Sequence, residues 1–172
     1  MYTGGTGYSP QAARIISYAG LIIPFILTGY GYLHATNIIE SKNFVSIDIL
    51  TFVSVAWMVL AVWQFLVPSK SKLTVMFRLA LYHVLAAFYL LFVTGFLTPF
   101  AACWILLLIA SSVYFGRTAI LLSVSAFIGI VFADIFAWGE VSATTVFYDL
   151  AVLVAVLMCT IVVMSMSRVQ AV

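Results

Sequence analysis

The sequence predicts an all-α integral membrane protein, a six-transmembrane helical bundle with its N and C termini in the cytoplasm. Three observations predict it. Of the 172 residues, 66% are hydrophobic and 7% charged, whereas soluble domains carry about a quarter charged residues. The apolar stretches run at or near the roughly 20 residues that cross a bilayer, and they repeat along the whole chain, leaving little for a soluble domain. Finally, the seven Lys and Arg residues segregate to one side once the stretches are strung as six spans.

The first span covers residues 14–36 and opens upstream at Ser9-Pro10, an N-cap followed by a proline suited to the first helical turn. Pro24, with Gly29 and Gly31 beyond it, predicts a kink or loosening there. The following spans cover 46–67, 74–97, 99–115, 117–138 and 145–166, separated by ESKN, PSKSK, LTP, GR and GEVSA. Residues 1–172 thus form a single transmembrane domain. The N-terminal MYTGGTGYSPQAAR lacks the ordered charge, short apolar core and cleavage site of a signal peptide. The first stretch is therefore expected to remain as a helix.

Arg14, Lys70, Lys72, Arg78, Arg117 and Arg168 fall on one side of this arrangement, and only Lys42 on the other. Cytoplasmic loops carry the excess of positive charge, so the reading is a plasma (inner) membrane protein with both ends inside. Merging the short fourth span with the fifth would spoil this segregation. The net charge is only +2, with no basic run, so the lipid bilayer is an expected partner and nucleic acid is not. Cys103 and Cys159 lie in apolar segments and carry no metal spacing.

Acids collect at the extracytoplasmic side. Asp134 and Asp149 lie about one turn inside the outer ends of the fifth and sixth spans, Glu140 lies between them, and Asp48 opens the second span. His34, Tyr30, Tyr32, Trp138 and Tyr148 share this layer. Tyr30 with His34, and Asp134 with Trp138, are each four apart and share a helix face. These residues form either a shallow polar pocket for a cation, a proton or a small ligand, or an interfacial layer near the headgroups. Asp134 and Asp149 are the leading candidates for the pocket, joined by His34, Tyr30, Trp138 and Tyr148.

Arg78 and His83 are secondary candidates, in "FRLALYHVL" of the third span. Arg78 is expected to snorkel to the inner surface. His83 lies about 7 to 14 Å inside the membrane, either as a proton carrier or ligand, or bonded to a hydroxyl or carbonyl of a neighbouring helix. A haem held by His34 and His83 is rejected, because their depths differ by roughly 15 to 20 Å. Neither cofactor nor metal is expected. No nucleophile–base set, HExxH or glycine-rich phosphate loop can be assembled, so an enzyme is not expected either.

Ser125, Gly129, Ala133 and Ala137 recur every four residues along the fifth span, and Ala151, Ala155 and Cys159 along the sixth. Small residues at that spacing let helices approach closely, either within the bundle or between protomers.

The sixth span ends in "VVMSMSRVQAV", whose polar spacing lets a helix carry on into the cytoplasm without a glycine or proline stop. The stretch "LTPFAACWILLLIASSVYFGRTAILLSVSAFIGIVFAD" resembles the paired helices of multi-span input regions in bacterial sensor histidine kinases and diguanylate cyclases. That resemblance implies a membrane-embedded sensory module of a signalling protein. It carries no catalytic residue onto this chain. The alternatives are a small proton- or ion-coupled transporter and a non-catalytic subunit of a larger membrane complex, with a homodimer among the possible assemblies.

Overall fold

The computed structural model describes residues 10–36, 38, 45–67, 71–94, 100–137 and 142–169. All regular structure among them is helical: α1 (Pro10–Ala35), α2 (Ile47–Leu66), α3 (Lys72–Tyr89) running on into a π-helical turn (Leu90–Thr94), α4 (Phe100–Phe115), α5 (Arg117–Ala137) and α6 (Ala143–Val169). Five helices are long and apolar enough to cross a membrane. The exception is α4, with 16 residues, about 24 Å at helical rise.

The helices alternate in direction. Tyr18 near the start of α1 meets Phe65 near the end of α2, and Ser54 of α2 is hydrogen-bonded to Tyr89 at the far end of α3. We call the end where α1, α3 and α5 begin basal, and the opposite end apical. The shortest helix is the hub: α4 packs against α1, α3, α5 and α6, while α2 lies on α1 and α3. Trp104 and Leu108 of α4 are fully buried with Ile120 and Phe127 of α5 and Tyr89 of α3. The outside is apolar, with Phe52, Val55, Val59 and Leu66 of α2 and Phe147, Val154, Met158 and Ile161 of α6 all exposed. An apolar exterior of this extent suits lipid rather than water.

Local chemistry explains the helix ends. Ser46 caps α2 by accepting from the Ile49 N–H, and Asp48 sits in the first turn, where the helix dipole favours negative charge. Within helices, Thr51, Ser111, Thr160 and Ser165 each donate to the carbonyl four residues earlier, which satisfies a hydroxyl that lipid cannot. Between α4 and α5 a single residue reverses the chain. Gly116 adopts φ 74°; its N–H donates to Ser112 and its carbonyl accepts from Ile120.

Of the two readings of the small-residue stripes, close packing within the bundle or between protomers, the structure bears on the first. Ser125, Gly129, Ala133, Ala151 and Ala155 are all exposed, and a Cβ built on Gly129 meets nothing within 4 Å. The side chain of Ala137 lies outside the described part. These stripes therefore do not join α5 to α6, which meet through other faces: Val124, Phe127, Val131 and Asp134 of α5, and Asp149, Val156 and Thr160 of α6, are buried. Periodicity gave the spacing of the small residues but not the direction in which they face. Gly31 is also not a point of loosening. It is buried, and a Cβ there would lie 3.3 Å from Tyr89 Cε1 and 3.5 Å from Leu50 Cδ1.

Two outcomes follow for unfolding in mixed micelles. Gly116→Ala, which places a Cβ in the left-handed region, is expected to destabilise by about 1–2 kcal/mol. Gly31→Leu is expected to unfold the bundle at lower denaturant than wild type, whereas Gly129→Leu, which projects into open space, is expected not to.

Candidate functional site

The two inward aspartates stand at the apical end. Asp134 is 4% exposed and Asp149 2%, each continuing the buried stripe of its helix, so both side chains face the bundle interior. Asp134 Oδ1 and Asp149 Oδ2 are buried without a hydrogen bond, while both residues make further interactions. Of the residues expected beside them, those whose side chains are described face outward. Tyr148 is exposed and stacks edge-on against its neighbour Phe147, and Asp48 is exposed. The side chains of Tyr30 and His34, and Trp138 and Glu140 entirely, lie outside the described residues.

At mid-bundle, His83 is held from both sides. A carbonyl only accepts, so Nδ1 donates to Leu79, 2.8 Å away on the same helix. Nε2 is 2.7 Å from Ser123 Oγ on α5, which in the neutral ring makes Ser123 the donor. The Trp104 indole stands edge-on at 5.2 Å and donates from Nε1 to the Ser123 carbonyl at 3.1 Å. His83, Ser123 and Trp104 thus join α3, α4 and α5 through matched donors and acceptors, a clasp rather than an open site.

Arg78 is where the structure departs furthest from expectation. Instead of reaching the inner surface it is buried, 4% exposed. Its side chain does run toward the basal end, as helical side chains do, but α2 intercepts it. Nη1 donates to the Val67 carbonyl at 2.9 Å, one of the acceptors left open where α2 ends, and the guanidinium lies 4.0 Å from the Trp63 ring centroid, a cation–π contact.

Beside Arg78, a cavity of about 120 Å³ lies between the α1–α2 pair and the α3–α4 pair. Its polar lining comprises Ser17, Trp57, Gln64, Arg78, Tyr82 and Tyr114. Ser17 and Tyr114 are hydrogen-bonded to each other. The other four each bring a buried polar atom without a hydrogen-bond partner: Trp57 Nε1, Gln64 Oε1, Arg78 Nε and Tyr82 Oη. Ile23, Pro24, Val75 and Leu107 supply apolar walls. The cavity is graded by register. Ser17, Gln64, Arg78 and Tyr114 lie toward the basal end, Trp57 and Tyr82 deeper, and Ile23, Pro24 and Cys103 deepest.

Sequence reasoning found Arg78 but missed Trp57, Gln64 and Tyr82. A signal existed: Trp57 and Gln64 are seven apart and Arg78 and Tyr82 four apart, spacings that put each pair on one helix face. Nothing in the sequence indicates that these faces meet. For the clasp, Ser123→Ala removes the Nε2 partner, and the expected loss is about 1 kcal/mol in folding stability, the scale of interhelical hydrogen bonds in membranes. The histidine ¹⁵N resonances of the purified chain are expected to move with it; unchanged resonances would count against the contact. Compared with known proteins, the chain matches no family model, no curated protein and no solved structure.

Proposed function

We propose that the chain is a ligand-responsive module of the inner membrane, six-spanning with both ends in the cytoplasm, that passes occupancy of the α1–α4 cavity to a partner or output segment at the basal end of α6. One observation carries the reading: four buried polar atoms without partners, from the two helices α2 and α3, line one cavity. Unmet hydrogen-bonding groups inside a membrane bundle are costly and favour a polar guest.

The topology rests on charge and packing. Arg14, Lys72 and Arg117 are exposed at the basal end, which the positive-inside rule makes cytoplasmic. Although α4 is shorter than the roughly 30 Å hydrocarbon layer, its packing against α1, α3, α5 and α6 supports counting it as one of six spans. The route for a response runs from α1 across the cavity to α4, and from α4 to α6, against which it packs. α6 remains helical through Val169. A guest that binds one arrangement of α1 and α4 more tightly than another shifts the balance between them.

A second reading, a proton- or ion-coupled carrier, is favoured by the burial of Asp134 and Asp149. Proton-driven uptake into vesicles holding the wild-type chain, lost in the Asp134→Asn, Asp149→Asn double variant, would establish it in place of the first.

Gly20 offers a test of the first reading that needs no ligand. It lines the cavity, and a Cβ built there meets nothing within 4 Å, so Gly20→Leu fills the space without a clash. Amide hydrogen exchange over residues 156–169 of α6 is expected to change several-fold in Gly20→Leu and to stay at wild-type rates in Gly129→Leu. Wild-type exchange in both variants contradicts the relay.

A further inference from the structure

The donors, charge and gradation of the cavity narrow the guest to one chemical class. We infer that the α1–α4 cavity takes an anionic amphiphile from the cytoplasmic leaflet, its carboxylate or phosphate head on Arg78 and its single apolar chain directed toward Ile23 and Pro24; this rests on the reading of the cavity as a ligand site.

The charge argument comes first. Arg78 is a buried cation, and an unpaired charge in a bundle interior is strongly unfavourable. Three of the chain's five acids are among the described residues, and none of these three is on its half of the bundle. Asp48 opens α2 at the apical end, Asp134 and Asp149 lie at the apical ends of α5 and α6, and Glu40 and Glu140 belong to the α1–α2 and α5–α6 connections. No acid among the described residues supplies the countercharge, which leaves that role to the guest. Val67 and Trp63 take up part of the guanidinium, and Nε is left for a guest.

Donor and acceptor chemistry agrees. Arg78 Nε and Trp57 Nε1 only donate, Tyr82 O–H can donate, and the Gln64 amide offers an acceptor or, turned over, two donors. A carboxylate or phosphate accepts from the first three, and Gln64 accommodates either a protonated or a bare oxygen. A cation would meet Arg78 unfavourably, and a neutral chain would leave the donors unmet.

Shape gives the orientation. The polar end is basal, and beyond it Ile23, Pro24 and Leu107 form an apolar wall. The lining of α1 extends from Ile16 to Pro24, about 12 Å at helical rise. An engineered apolar cavity of about 150 Å³ holds one benzene, so about 120 Å³ suits one chain segment beside a small head and not two chains. Exposed Arg14, Lys72 and Arg117 at the same end raise the local concentration of anions there.

The test uses the purified full chain in phosphatidylcholine nanodiscs and reads Trp57 fluorescence as the difference between wild type and Trp57→Phe. Bromo-octanoate is expected to quench it saturably, and octanoate and octyl phosphate to compete, whereas octanol and octyltrimethylammonium do not. Arg78→Gln is expected to weaken bromo-octanoate at least tenfold and Gly129→Leu, exposed on α5 away from the cavity, to leave it unchanged. If Arg78→Gln does not fold, Gly20→Leu, which keeps Arg78 and fills the cavity, is expected to abolish the quenching. Adding single-chain lysophosphatidylglycerol to the nanodiscs separates the sources: competition identifies a lipid of the bilayer, and undiminished quenching identifies a free amphiphile. Octanol competing as well as octanoate overturns the anionic head but leaves the cavity as a ligand site. No saturable quenching overturns the amphiphile, and the reading of the cavity itself falls only if Gly20→Leu also leaves α6 exchange unaltered.

Discussion

The hydrogen bonds that gather His83, Ser123 and Trp104 hold three helices together at the middle of the bundle. Around them sit the fully buried side chains of Trp104, Leu108, Ile120 and Phe127. The rule they obey governs the rest of the molecule. In lipid there is no water to receive a donor or acceptor, so each polar group turns to its own helix, to a neighbouring helix or to a guest. Thr51, Ser111 and Thr160 turn back on their own helices. Ser54 and Tyr89 find each other across α2 and α3.

Against that background the cavity between the two helix pairs stands out. Only a few ångströms of helix separate Tyr82 from His83, yet one faces an unmet environment and the other a complete one. The difference is geometric: α5 reaches His83 with Ser123, whereas α2 takes up only the Nη1 side of Arg78 and room is left beside Arg78 Nε and Tyr82. At the apical end Gly31 lets α1 approach Tyr89 and Leu50 closely. The same chain thus builds a fixed apical contact and a roomy basal half, an arrangement that suits a site whose filling changes helix positions.

The helices were readable in the sequence because their signals are one-dimensional. Span lengths, the Pro10 start, the Gly116 reversal and the polar breaks all lie within the segments they define, and the helices begin and end within a few residues of the expected positions. What was not readable depends on the direction in which a face points. Arg78 was placed at the inner surface because depth along a helix says nothing of a second helix lying over the side chain. The small residues of α5 and α6 were assigned to close packing on spacing alone, and the structure turns Gly129 and Ala133 outward. The inward aspartates were recognised as candidates, but their burial is a property of the bundle. Trp57, Gln64 and Tyr82 passed as ordinary residues of apolar helices because the cavity exists only once α2 and α3 are brought together.

The central claim is that Arg78 draws its countercharge from a molecule outside the chain. Native mass spectrometry of the full chain, released from its own membrane in mild detergent, addresses this most directly. The account predicts one retained amphiphile per chain, released as an anion on activation and absent from the Gly20→Leu variant. A wild-type chain that emerges with no bound species, or with the same neutral lipids as Gly20→Leu, would contradict it.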